Sequence, residues 1–101
     1  MSEPRIIPTA DLDEGGTIGD GSSIWHLSQV RGGAVLGENV VVGRGAYIGE
    51  GVHVGDNCKI QNYALVYEPA ELEDGVFIGP AVVLTNDLSL IHISEPTRPL
   101  Y

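Results

Sequence analysis

Cations are scarce in this chain. Arg5, Arg31, Arg44, Lys59 and Arg98 are its only Lys and Arg residues, set against 14 Asp and Glu for a net charge of −9. A nucleic-acid partner is therefore not expected, because a phosphate backbone is gripped by clustered Lys and Arg. A smaller phosphate-bearing ligand would have to be met by a few local cations or by backbone N–H groups. The excess acid otherwise serves to keep the surface soluble. One cysteine, Cys58, excludes an intrachain disulfide framework and a cysteine-based zinc cluster. No apolar run approaches the ~20 residues of a membrane span. Met1-Ser2-Glu3-Pro4-Arg5 lacks the basic and apolar regions of a secretory signal. The expectation is a cytoplasmic protein with no membrane partner and, at 101 residues, at most one small domain.

What the chain does have is a period of six. Positions 6, 12, 18, 24, 30, 36, 42, 48, 54, 60, 66, 72, 78 and 84 are all Ile, Leu or Val, although only 29 of the 101 residues are of these types. Four residues after each aliphatic up to Ile78 stands a small residue or Val, as in Ala10, Gly16, Ser22, Ser28, Ala34, Ala46, Cys58, Ala64 and Ala70. The position just after the aliphatic is Gly in Gly19, Gly37, Gly43, Gly49, Gly55 and Gly79, which reads as room for a bend. Large inside, small inside and Gly near a corner are what a tightly turning triangular coil requires. Each hexad supplies one short strand and one corner, and three hexads close an eighteen-residue coil. Stacked at the ~4.8 Å spacing of paired strands, successive coils satisfy each other's backbone groups. A helix would need apolar residues three and four apart, and an antiparallel sandwich would show turns every 8–12 residues. The fold class expected is all-β, a left-handed parallel β-helix of hexapeptide repeats.

The domain reading is a lead-in over 1–5, the β-helix over 6–87 and a separate tail over 88–101. The run from Leu88 to Arg98, LSLIHISEPTR, resembles the in-frame translation of a transposase-type sequencing-library adapter, and such scars are kept out of fold reasoning. Leu90 nevertheless falls on the six-residue register, with Ser94 at the small position. The β-helix would then be about four and a half coils long with an open C-terminal end, and His92 carries no chemistry in this reading.

Residues eighteen apart stack on one face. His26, Arg44, Asn62 and Pro80 form one such column, and Arg31, Gly49, Tyr67 and Thr85 form another, with Gly32, Glu50, Glu68 and Asn86 beside it. The aliphatic and small columns fill the interior, so these polar residues face outward. Trp25 and His26 stand out. An aromatic beside an imidazole can hold a substrate or supply a general base near neutral pH, or pack in a subunit interface, where aromatics are enriched. His53, away from His26 in the coil cross-section, reads as a solvated surface residue. Catalytic zinc wants three protein ligands, and outside the tail only His26 and His53 are available, one and a half coils apart. No metal is expected.

The runs Lys59-Ile60-Gln61-Asn62, Leu72-Glu73-Asp74-Gly75-Val76-Phe77-Ile78-Gly79-Pro80 and Thr85-Asn86-Asp87, together with Trp25-His26, are more specific than any hexad. Over residues 4–87 the chain resembles the first half of bacterial UDP-sugar N-acetyltransferases. These enzymes acetylate an amine on a UDP-linked amino-sugar for surface polysaccharide synthesis. The resemblance implies a homotrimer with an active site in each cleft between subunits, and acetyl-CoA as donor, lying along the coils with its thioester near Thr85-Asn86-Asp87. The sugar amine would attack the thioester directly, which needs a neutral, aimed amine and fixed donors for the developing oxyanion. It implies Asn86 and His26 as catalytic residues and Asn62, Tyr67, Trp25 and Arg31 as substrate contacts. CoA-binding residues are expected beyond Asp87, so the 101-residue chain itself is expected to be inactive. The alternatives are an O-acetyltransferase of the same fold, a non-catalytic trimerisation scaffold and a carbonic-anhydrase-like metalloenzyme.

Overall fold

The computed structural model describes residues 3–68, 70–84 and 92–93. Each hexad forms a two-residue strand whose second residue is the periodic aliphatic, turned inward while the residue before it faces out. The strands assemble into three parallel sheets. The first holds β1 (Arg5–Ile6), β4 (Ser23–Ile24), β7 (Val41–Val42), β10 (Lys59–Ile60) and β13 (Phe77–Ile78). The second holds β2 (Asp11–Leu12), β5 (Gln29–Val30), β8 (Tyr47–Ile48), β11 (Leu65–Val66) and β14 (Val83–Leu84). The third holds β3 (Thr17–Ile18), β6 (Val35–Leu36), β9 (His53–Val54), β12 (Glu71–Leu72) and β15 (His92–Ile93). Partners from β1 to β14 are eighteen residues apart, as in Arg5↔Ser23 and Lys59↔Phe77. This is a three-sided β-solenoid of about four turns whose hexapeptide repeats fit a left-handed β-helix, as expected. Among the described residues no helix is long and apolar enough to cross a membrane.

The axis of the prism is filled by the two periodic columns. Ile24, Val42, Ile60 and Ile78 stack from the first sheet, Val30, Ile48 and Val66 from the second, and Leu36, Val54 and Leu72 from the third, all buried. The first coil has a neighbour on one side only, and Ile6 is 43% exposed there.

The small inward column does more than fit. The Ser22 hydroxyl donates to the Gly37 carbonyl (2.9 Å) and accepts the Val40 N–H (3.0 Å), and the Ser28 hydroxyl donates to the Gly43 carbonyl (2.8 Å). Cys58 repeats this with its thiol, 3.0 Å from the Glu73 carbonyl. Hydroxyl and thiol thus satisfy corner carbonyls inside an apolar stack. Burial pushes the Cys58 thiol above its ordinary value. Its contribution to stability is therefore fully present below the unfolded thiol pKa of ~8.5 and is lost as pH rises through the higher folded value. Ellman's reagent at pH 7.5 should modify Cys58 at least about a hundred times more slowly in the native protein than in denaturant, because only the exposed thiolate reacts. Equal rates would mean that the thiol is open to solvent.

The glycines directly after the aliphatics stand next to the bends, as expected, but they are not the left-handed residues. Positive φ falls two positions later, at Gly15, Gly21, Gly33, Gly45, Gly51 and Gly75 and also at Leu27, Asn39, Asn57, Tyr63 and Ala81. The first set is needed for close approach between coils. A Cβ on Gly37 would stand 2.9 Å from the Asp56 nitrogen, and one on Gly55 would stand 2.6 Å from the Asp74 nitrogen. Into that space the next coil sends a side-chain oxygen. The Glu38 N–H donates to Asp56 Oδ1 (2.8 Å), the Asp56 N–H to Asp74 Oδ1 (2.7 Å) and the Arg44 N–H to Asn62 Oδ1 (3.0 Å). Asp56 and Asp74 therefore cap backbone donors of the preceding coil.

β15 lies within the tail set apart in the sequence, and its backbone pairs with β12, Ile93 opposite Leu72. The six-residue register would have placed Leu90 there. Seven residues separate β14 from β15 where four separate β13 from β14, so the register slips by three.

Candidate functional site

On the edge that follows the first sheet, a cavity of about 290 Å³ is lined by Trp25, His26, Val41, Gly43, Arg44, Gln61 and Asn62. The eighteen-residue repeat builds it. His26, Arg44 and Asn62 are one outward column, and Trp25, Gly43 and Gln61 are the column beside it. The second column runs large, absent, large, with Gly43 between the indole and the Gln61 side chain.

His26, Trp25 and Arg44 are each held by a neighbour. Thr9 Oγ1 accepts the Leu27 N–H (3.1 Å) and lies 3.0 Å from His26 Nδ1. The ring is thus anchored on its Nδ1 side, and Nε2 is left for a ligand. The Arg5 guanidinium lies 5.7 Å from the centre of the Trp25 ring, in cation–π range. The Arg44 Nε–H donates to the Tyr63 hydroxyl (3.1 Å).

The charge of this side differs from that of the molecule. Residues 5–10, 23–28, 41–46, 59–64 and 77–82, which form the first sheet and its following edge, include Arg5, Arg44 and Lys59 and none of the 14 acids. Asp20, Glu38, Asp56 and Asp74 form a column on another edge. An acidic protein thus carries one acid-free, locally cationic side, and the cavity opens on it. Such segregation raises the local concentration of an anionic ligand.

Trp25, His26 and Asn62 are brought together in this cavity, while Arg31 and Tyr67 lie on the edge after the second sheet. Arg31 is tied down there. Its Nη2 lies 3.1 Å from Asp11 Oδ2 and donates to the Asp11 carbonyl (3.1 Å), and its Nη1 lies 3.5 Å from Asp13 Oδ1. The hydrogen bond to Asp11, followed by the charge of Asp13, raises its pKa further. Tyr67 packs on Tyr47 with ring centres 5.2 Å apart and planes at 47°. Asn86 lies outside the described residues. His53 is exposed on the third sheet. Among the described residues no three His, Cys, Asp or Glu side chains are grouped to hold a metal ion. Arg44 and Gln61 were not singled out from sequence, although Arg44 shares the column of His26 and Asn62, which was the signal available.

The signature of bacterial transferase hexapeptide proteins (six repeats) matches residues 15–50 and 51–86. The chain belongs to this family. Its hexapeptide-transferase fold is similar to that of the acetyltransferase domain of PglB from Neisseria gonorrhoeae FA1090, with a TM-score of 0.67 and 20% identity over 92% of this chain and 52% of that one. The same gonococcal domain in complex with acetyl coenzyme A gives a TM-score of 0.62 and 22% identity over 89% of this chain and 51% of that one. The hexapeptide-transferase chain thus spans about half the length of these solved structures. No curated protein matches the sequence.

Proposed function

We propose that the chain is the N-terminal part of an acyltransferase that moves an acetyl group from acetyl-CoA to the amine of a UDP-linked amino-sugar. The observation that carries this reading is the cavity of Trp25, His26, Arg44, Gln61 and Asn62 on the acid-free side of a hexapeptide-transferase solenoid. An indole face suits a ring, cations suit a diphosphate, and an imidazole suits a proton. In the transfer, the amine nitrogen bonds to the thioester carbonyl carbon, the carbon–sulfur bond breaks and the CoA thiolate leaves. The amine proton passes to His26 Nε2 and from there to the thiolate. Asn86 contacts the amine.

The candidate residues occupy two edges of one rigid prism, so a single copy cannot converge them. A second copy laid alongside would bring Arg31 and Tyr67 opposite Trp25, His26 and Asn62, which supports a homotrimer with its sites between subunits. Much of the acetyl-CoA surface is assigned to the length that the gonococcal domain has and this chain lacks.

The test combines calorimetry with UDP and chromatographic detection of CoA release from acetyl-CoA and a UDP-amino-sugar. The 101-residue chain is expected to bind UDP and to release no CoA above the uncatalysed rate. CoA release would overturn the assigned inactivity, and the absence of any UDP binding would overturn the sugar-nucleotide assignment. In a longer protein containing this chain, a substrate bearing a hydroxyl in place of the amine separates N- from O-acetylation.

A further inference from the structure

Along the corner that borders the cavity, the left-handed positions are Leu27 (φ 61°), Gly45 (φ 69°), Tyr63 (φ 63°) and Ala81 (φ 61°). Glycine and asparagine take this conformation readily, and a bulky aromatic does not. Tyr63 is 54% exposed, so burial in the core does not account for it. Its ring lies across Gly45, where an added Cβ would fall 2.5 Å from ring carbons Cδ1 and Cε1. Laid down in this way, the ring delivers its hydroxyl to Arg44 Nε at 3.1 Å. The corner imposes this φ in each coil, on Leu27 and Ala81 as well as on Tyr63, so what sets Tyr63 apart is that its hydroxyl ends on an arginine at the rim of the cavity.

With Nε bonded to Tyr63, the Nη1 and Nη2 edge of Arg44 is left to a ligand, and that edge matches two oxygens of a phosphate. The hexads of this side supply no carboxylate to compete. We propose that Arg44 binds a phosphate group of the ligand in this cavity and that Tyr63 is the positioning residue that holds its guanidinium in place. The inference rests on the reading that the cavity takes a nucleotide-linked substrate. The phosphate can come from the diphosphate of a sugar nucleotide or from CoA.

Calorimetric titrations of the 101-residue chain with UDP and, separately, with adenosine 3′,5′-bisphosphate distinguish these sources. Arg44→Gln should weaken binding of the phosphate probe by about tenfold or more, the loss of a charge-assisted pair. Arg44→Lys should recover only part of that, because it keeps the charge and loses the fork. Tyr63→Phe should weaken binding severalfold with an unchanged circular dichroism spectrum. Tyr63→Asn should weaken binding while raising the melting temperature, opposite signs that a merely structural tyrosine would not give. Independently of any ligand, the Arg44 Nε–H resonance should be protected from exchange in the wild type and lose that protection in Tyr63→Phe. Binding by the wild type that Arg44→Gln leaves unchanged would overturn the phosphate role alone. No binding of either probe by the wild type would overturn the nucleotide reading and the phosphate role with it. An Arg44 resonance indifferent to Tyr63→Phe would overturn the positioning role.

Discussion

Replacing Ile60 with alanine should cost about 2–5 kcal/mol of stability, the range for deleting a large aliphatic from a close-packed interior. Ile60 is fully buried and stands in register between Val42 and Ile78. The neighbouring coils are pinned by backbone ladders and cannot collapse into the cavity that the substitution leaves. Domains of ordinary size have only ~5–15 kcal/mol in total, so the loss is a large fraction. In a solenoid each coil touches only its neighbours, so a defect here also weakens the coupling between the coils before and after it. Urea unfolding followed by circular dichroism is the measurement, with Ile6→Ala as reference. Ile6 is already 43% exposed, and its substitution should change stability by less than about 1 kcal/mol. Similar midpoints for the two variants would mean that the interior is not packed as described.

The second large effect is expected at Gly43. A Cβ there would stand 2.7 Å from the Asn62 nitrogen and 2.8 Å from the Gln61 carbonyl carbon. Both are backbone atoms of the next coil, so neither can swing aside. Gly43→Ala must therefore push adjacent coils apart or tilt one of them, and such overpacking costs about 1–3 kcal/mol. Gly51→Ala is the informative comparison. Nothing lies within 4 Å of a Cβ at Gly51, whose φ is +66°, so its cost is conformational only. Because Gly43 and Trp25 line the same cavity, Gly43→Ala should also shift the emission of the single tryptophan. Unchanged stability together with an unchanged spectrum would show that the coils have slack at this edge.

The fold was legible because its period is short and its interior is repetitive. Ile60, Val66 and Leu72 each follow from spacing alone, and each is buried. The corners were harder. Glycine serves two purposes within the same six-residue period, close approach at Gly37 and Gly55 and left-handed φ at Gly33 and Gly51. Composition cannot separate the two. Asn39 and Asn57 in the left-handed set were a readable hint, since asparagine tolerates that region, whereas Leu27 and Tyr63 run against residue preference. For the site, the column of His26 and Asn62 was visible, and Arg44 in the middle of it was passed over in favour of Arg31. An arginine beside a cavity and one tied to Asp11 and Asp13 across the coil boundary look alike until the partners are located.

The triangular cross-section also sets rules for how such a chain can change length. Gaining or losing eighteen residues leaves every later side chain on the side of the prism where it stood, so the protein grows taller without rotating. Gaining six residues keeps each later aliphatic inward and the core intact, yet it turns everything downstream by one face. A hexad inserted between Val30 and Arg44 would leave a well-folded solenoid in which Arg44 and Asn62 no longer stand above His26. The core reads position modulo six and the cavity reads it modulo eighteen. A single-hexad insertion can therefore erase the cavity while leaving the fold unmarked.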